Sequence, residues 1–114
     1  IYGTGHQRKD FVYVEDINDF HLLCLKEEVK NDTFNIGSGE NYSILELLGL
    51  ISDLVGVKID PIFKPALLDT DPLVNLADIS KAKKVGWQPK TSLTAGLKEN
   101  ISYIKKEFEI GNVK

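Results

Sequence analysis

The stretch TFNIGSGENYSILELLGLISDLVG, residues 33–56, constrains this chain more than any other part of it. Residues 33–36 have strand-like composition and run into Gly37-Ser38-Gly39. Ser43-x-x-Glu46 then reads as a capping box, with Ser43 the N-cap and Glu46 reaching back to it. Ile44, Leu47, Leu48, Ile51, Leu54 and Val55 recur at helical spacing, and Gly56 is placed to stop the helix. Residues 57–63 read as a second strand carrying Asp60, with Pro61 putting that strand at an edge or ending it. A strand, a glycine turn and a capped helix commit the chain to α/β packing. On spacing alone the unit also has the layout of a dinucleotide-binding turn, G-x-G with an acid about 20 residues on.

The side chains argue against that use. A dinucleotide turn needs a third glycine three residues after the second, so that the helix can lie close to its strand. Tyr42 stands there. The two glycines are better read as turn residues with positive φ, which disfavours a small NAD- or nucleotide-binding module over residues 37–60. Backbone N–H groups at the Ser43 helix remain able to meet an anion.

The rest of the chain alternates in the same way. Residues 9–14, KDFVYV, are aromatic and β-branched and predict a strand. Glu15 and Asp16 open a helix with an apolar stripe of Ile17, Phe20, Cys24 and Leu25, ending near Glu28. Residues 64–72 are the longest irregular stretch, and 74–77 predict a short strand. Asp78 starts a brief helix that Gly86 ends, and Trp87 is placed to fill a gap between the last two helices. Ser92 caps a final helix with Leu93, Leu97, Ile101, Ile104 and Phe108 on one face, of which Leu93, Leu97, Ile101 and Ile104 are expected to be buried.

Composition bounds the function. With 114 residues there is enough chain for one domain, and a net charge of −3 leaves no electrostatic footprint for nucleic acid. No apolar run approaches the ~20 residues of a membrane span, and no signal-peptide pattern opens the sequence. The single cysteine, Cys24, reads as a small buried hydrophobe and makes no internal disulfide, so a cytoplasmic location is expected. His6 and His21 lack partners at ligand spacing, so no metal site is expected. No G-x-S-x-G turn presents a nucleophile, and none of Tyr2, Tyr13, Tyr42 and Tyr103 has a lysine four residues later. Arg8-Lys9 is the suggestive pair. Two cations enter a strand directly after a loop with Gly3, Gly5 and Gln7, where they could be aimed at a phosphate or simply be solvated.

The order of motifs carries a resemblance. G-x-G-x-Q-x-K-D-F-V-Y-V-x-D from residue 3, F-N-I-G-S-G from 34, A-D-I-S-K-A-K-x-x-G-W-x-P from 77 and the capped last helix together resemble the C-terminal part of the extended short-chain dehydrogenases that act on nucleotide sugars. These are the NAD-dependent epimerases and dehydratases of the UDP-glucose 4-epimerase type. The resemblance covers most of the chain. It implies an α/β fold: the C-terminal substrate-binding portion of a Rossmann-type enzyme, lacking the N-terminal dinucleotide-binding region. Residues 1–114 would be one domain of a longer protein, whose opening on Ile1-Tyr2-Gly3 without methionine fits that expectation.

The resemblance also implies a division of labour. The NAD fingerprint, the catalytic Ser/Thr and the Tyr-x-x-x-Lys pair of the family lie upstream of the matched part, so no catalytic residue and no cofactor are expected for this chain alone, and NAD for the intact enzyme. The expected partner is a nucleotide-diphosphate sugar, and homodimerisation of the intact enzyme is left open. The family's diphosphate-binding arginine falls on Lys9, with Arg8 beside it; Tyr2 matches a position that contacts the nucleotide base; Asp71 matches a ribose-hydroxyl acceptor. Leu68 falls where the family often has a second arginine, and Thr70 where it has a glycine. That departure keeps an alternative open, a non-catalytic relic or interaction domain of the same fold with a degraded ligand site.

Overall fold

Helices dominate the computed structural model, which describes residues 1–29, 31–67, 72–109 and 111. A two-residue strand β1 (Arg8–Lys9) is followed by α1 (Val14–Leu23), a 3₁₀ turn (Glu27–Val29), a two-residue strand β2 (Tyr42–Ser43), α2 (Ile44–Val55), α3 (Ser80–Lys84) and α4 (Leu93–Glu109). β1 and β2 pair antiparallel, Arg8 opposite Ser43 and Lys9 opposite Tyr42. On its other side Arg8 makes a parallel bridge to Val74, and Tyr2 makes another to Lys64.

α2 forms as its sequence dictates. The Ser43 hydroxyl accepts from the Glu46 N–H at 3.0 Å, and the Glu46 carboxylate accepts from the Ser43 N–H at 2.6 Å. Gly56 closes the helix in the left-handed region, φ 71°. Ser92 likewise accepts from the Ala95 N–H at 3.2 Å at the start of α4. At α3 the helix begins at Ser80, and Asp78 just ahead accepts from the Ser80 N–H at 3.0 Å.

Four predicted strands are not ladders. Of residues 9–14 only Lys9 is in a strand, and Val14 already opens α1, which ends at Leu23 rather than near Glu28. Residues 33–36 and 57–63 form no ladder or bridge among the described residues, and of 74–77 only Val74 forms a bridge. The cause is common to all four. Strand propensity is a preference for a pleated, half-buried surface, and without a neighbouring strand it yields extended chain without a ladder.

The buried core is small and sits between α1 and α3. Phe20, Ile79, Ala82 and Trp87 form it, with Leu23, Phe34, Ile36 and Ala77 packed around them. Phe20 meets Phe34 edge-on at 5.4 Å and Trp87 at 5.8 Å between ring centroids. The Trp87 indole N–H donates to the Asp16 carbonyl at 2.8 Å. Trp87 therefore packs with α1 as well as with Ala82 of α3, its hydrogen-bond acceptor lying at the start of α1. The Asp16 carboxylate accepts from the Thr91 N–H at 3.0 Å and so ties the approach to α4 onto α1.

α2 packs on α4, but neither helix is sealed. No residue of α2 is fully buried, and only Gly96 of α4 is. Leu93, Leu97 and Ile101 are only half-buried and Ile104 is exposed, contrary to the expectation that these four are buried; Phe108, on the same face, is exposed as well. Cys24, the C-cap of α1, is exposed as well, contrary to the expectation of a buried hydrophobe. The radius of gyration is 16.9 Å, against about 13 Å for a compact domain of this length.

Candidate functional site

The first ten residues are held by three distant segments. The Gly3 N–H donates to the Lys64 carbonyl at 2.9 Å and the Lys64 N–H to the Ile1 carbonyl at 2.8 Å. The Gln7 side-chain amide donates to the Tyr2 carbonyl at 2.9 Å, closing the glycine loop on itself. The Arg8 N–H donates to the Leu73 carbonyl at 2.8 Å, and the Asn75 N–H to the Arg8 carbonyl at 2.9 Å. The loop therefore presents Tyr2 at one end and the two cations of β1 at the other. The Tyr2 ring is about half exposed, 48%, with the Lys64 ammonium 5.9 Å from its centroid.

Successive residues of a strand point to opposite sides, and Arg8 and Lys9 part accordingly. The Arg8 Nε donates to Asn41 Oδ1 at 2.6 Å and Nη2 to the Asn41 carbonyl at 2.9 Å, while Nη1 pairs with the Glu46 carboxylate at 3.0 Å. The Ser43 N–H, and then the Arg8 charge, hold the Glu46 carboxyl below its ordinary range. Lys9 turns the other way, its ammonium donating to the Pro72 carbonyl at 3.4 Å. Asp71, Leu68 and Thr70 lie outside the described residues. The structure thus brings Arg8 together with Asn41 and Glu46, and Lys9 with Pro72. Asn41 was not legible as a partner of Arg8, since the two are 33 residues apart.

The glycine turn is filled from within the chain. Asp10 Oδ1 accepts from the Ser38 N–H at 2.7 Å and from the Ser38 hydroxyl at 2.6 Å. Its Oδ2 accepts from the N–H groups of Gly39 and Ala77, each at 3.2 Å. A Cβ on Gly37 would stand 2.5 Å from Asp10 Oδ2 and 2.6 Å from the Ala77 Cβ. Small residues are needed here so that three backbone segments can close on one carboxylate. The signal in the sequence was Gly-Ser-Gly itself, a run of available N–H donors that calls for an anion, and the anion is Asp10.

The start of α2 is occupied in the same way. The Ile44 N–H donates to the Gln7 carbonyl at 3.3 Å and the Leu45 N–H to the Gly5 carbonyl at 3.1 Å, while Glu46 donates to Ser43. The expectation that this helix N-terminus could meet an anion is corrected: the loop carrying Gly5 and Gln7 takes the first-turn donors. Asp60, the acid of the spacing pattern, stands in an exposed segment beside Lys58 at 3.5 Å. Residues 37–60 do not fit the phosphates and ribose of a dinucleotide. Tyr42 donates instead to the Glu40 carboxylate at 3.0 Å, and that bond, with partial burial, raises its phenol above the ordinary value. Among the described residues no group of three or more His, Cys, Asp or Glu could hold a metal ion, and no helix is long and apolar enough to cross a membrane.

Comparison with known proteins gives this geometry its setting. Residues 1–37 match the NAD dependent epimerase/dehydratase family. A GDP-L-fucose synthase of Sinorhizobium fredii is 38% identical over 97 residues, 85% of this chain and 31% of that protein. The crystal structure of UDP-glucose 4-epimerase from Thermotoga maritima with UDP-glucose superposes with a TM-score of 0.85 at 34% identity, covering 95% of this chain and 35% of that one. UDP-glucuronic acid 4-epimerase from Bacillus cereus, in complex with UDP-glucuronic acid and NAD, gives 0.85 at 31% identity, covering 93% and 34%. The chain spans about a third of the length of each. In class it is a partial α/β fold of the epimerase type found among short-chain dehydrogenases. Over residues 1–37 it is similar to the NAD dependent epimerase/dehydratase family, and along most of its length to UDP-glucose 4-epimerases.

Proposed function

We propose that this chain is the C-terminal, nucleotide-sugar-binding portion of an NAD-dependent epimerase or dehydratase, residues 1–114 forming one domain of it. The observation that carries the reading is the match along 95% of the chain to an epimerase structure holding UDP-glucose, joined to a glycine turn that its own Asp10 fills. A chain that does not seat the dinucleotide itself serves such an enzyme by holding the remote part of the substrate. Binding energy from the nucleotide and diphosphate then aligns the sugar carbon with the nicotinamide that the NAD-binding part holds.

In this reading Lys9 meets the diphosphate, Tyr2 borders the base and Asp71 accepts from the ribose. Arg8 acts on the site through Asn41 and Glu46, fixing β1 to the start of α2. Two facts support Lys9 over Arg8 for the direct contact: the guanidinium of Arg8 already has three partners, and Lys9 lies on the opposite side of the strand.

The test is a hybrid in which this chain replaces the matching third of the T. maritima epimerase, titrated with UDP-glucose by calorimetry. Lys9→Ala weakens binding by about 1.5–3 kcal/mol, as for a lost charge-assisted hydrogen bond, and the loss shrinks as salt rises. Arg8→Ala weakens it less. NAD titrated into the isolated chain gives no saturable binding tighter than about 0.1 mM, roughly −5.5 kcal/mol. A hybrid that folds and binds NAD but not UDP-glucose would sink the reading and favour the relic, in which the ligand site has degraded.

A further inference from the structure

Lys64 is fixed beside Tyr2 by the backbone. The Gly3 N–H donates to the Lys64 carbonyl at 2.9 Å and the Lys64 N–H donates to the Ile1 carbonyl at 2.8 Å. These two bonds flank Tyr2 and make the parallel bridge that sets Tyr2 opposite Lys64. Residues opposite each other in such a pairing carry their side chains on the same face. The ammonium accordingly lies over the Tyr2 ring, 5.9 Å from its centroid, and both residues are exposed. Lys58, Lys81 and Lys90 each pair with a carboxylate. Among the described residues the Lys64 ammonium meets no carboxylate, and the ring is its partner. A ring face attracts the charge but is no lone-pair acceptor for its N–H groups. An ammonium has three donors and no acceptor, so Lys64 offers donors to a molecule packed against Tyr2.

We infer that Lys64 is a specificity-determining residue, selecting nucleoside diphosphates whose base carries a ring carbonyl. The inference rests on the reading above, in which Tyr2 borders the base. A base packed beside the Tyr2 ring brings its rim to the ammonium. Uracil, thymine and guanine present carbonyl oxygens that accept from it. Adenine has no carbonyl, and its amino group turns donors towards a group that only donates. A site built to hydrogen-bond one partner rejects the analogue that lacks the matching atom, because its own polar group is then left unpaired. A diphosphate is the other acceptor that suits a lysine. Lys64 is placed away from it: the glycine loop carries Tyr2 at one end and leads into Lys9 at the other, and the partner of Lys64 is Tyr2, while Lys9 reaches Pro72.

The same hybrid, titrated by calorimetry with UDP, ADP and ribose 5-diphosphate, which has no base, tests the assignment. Lys64→Ala weakens UDP about 10-fold or more, as for a lost hydrogen bond to a charged group, and changes ribose 5-diphosphate by less than about 2-fold. The preference of the hybrid for UDP over ADP falls with it. Lys64→Arg, which keeps a charged donor, retains most of that preference. The bridge to Tyr2 is made by the backbone of residue 64, so the three hybrids melt together. An equal loss for UDP and ribose 5-diphosphate assigns Lys64 to the phosphates and overturns the inference. So does an unchanged UDP affinity, or a melting temperature that falls along with the affinity. Each of these failures leaves the substrate-binding role of the chain standing, because the unsubstituted hybrid still binds UDP. A folded hybrid that binds neither UDP nor ribose 5-diphosphate removes that role, and this inference with it.

Discussion

The Asp10 carboxylate holds Ser38 twice, through its N–H at 2.7 Å and its hydroxyl at 2.6 Å, and so fixes the glycine turn to the end of β1. The pair is 28 residues apart in sequence. The turn's N–H donors are thus taken up from within the chain, and Asp10 is the junction between β1, the turn and residue 77.

Asp10→Asn tests that junction. The amide keeps the shape but replaces one acceptor with a donor facing N–H groups. The expected loss is about 1.5–3 kcal/mol, the usual worth of hydrogen bonds to a charged group, read as a lower urea midpoint with an unchanged slope.

Two glycines should respond with opposite sign. Gly37→Ala drives a methyl to 2.5 Å from Asp10 Oδ2, an overpacking expected to cost about 1–3 kcal/mol. Gly49 lies inside α2 and a Cβ there meets nothing within 4 Å, so Gly49→Ala should stabilise by about 0.8–1 kcal/mol through helix propensity. Equal effects in thermal unfolding of the two variants would contradict this account.

Trp87 is 4% exposed and joins α1 through its ring and its N–H. Trp87→Ala is expected to cost about 3–5 kcal/mol, as for other large aromatic truncations in a core. Trp87→Phe should fall between that variant and the parent, since it keeps a ring against Phe20 and loses the bond to Asp16. As Trp87 is the sole tryptophan, circular dichroism is the suitable probe for all three proteins.

Glu46 gives a pH dependence of known sign. Its folded pKa is lowered, first by the Ser43 N–H and then by Arg8. The contribution is therefore complete above the unfolded value of about 4.3 and is lost as pH falls through the lower folded one. The parent and Glu46→Gln should differ in urea midpoint at about pH 7 and converge at the acid end of a series run down to about pH 2.5. A difference that persists there would assign the role of Glu46 to shape alone.

What could be read in the sequence was local. Ser43, Glu46 and Gly56 define α2 because a cap and a stop act within a few residues of the backbone groups they satisfy. Ser92 marks the start of α4 for the same reason, and the apolar spacing gave both helices their faces. The sequence alone also carried the resemblance to the epimerases, through the order of its motifs from Gly3 to Pro89. Tertiary structure decided everything that depends on a distant partner. It gave Asp10 to the glycine turn, Arg8 to Asn41 and Glu46, and Trp87 to Asp16, pairs separated by 28 to 71 residues. It also withheld ladders from residues 33–36 and 57–63, whose composition favours strands. A helix closes its hydrogen bonds within itself, whereas a strand closes them only on another strand, so local sequence could name the helices but not decide which extended segments would find a neighbour.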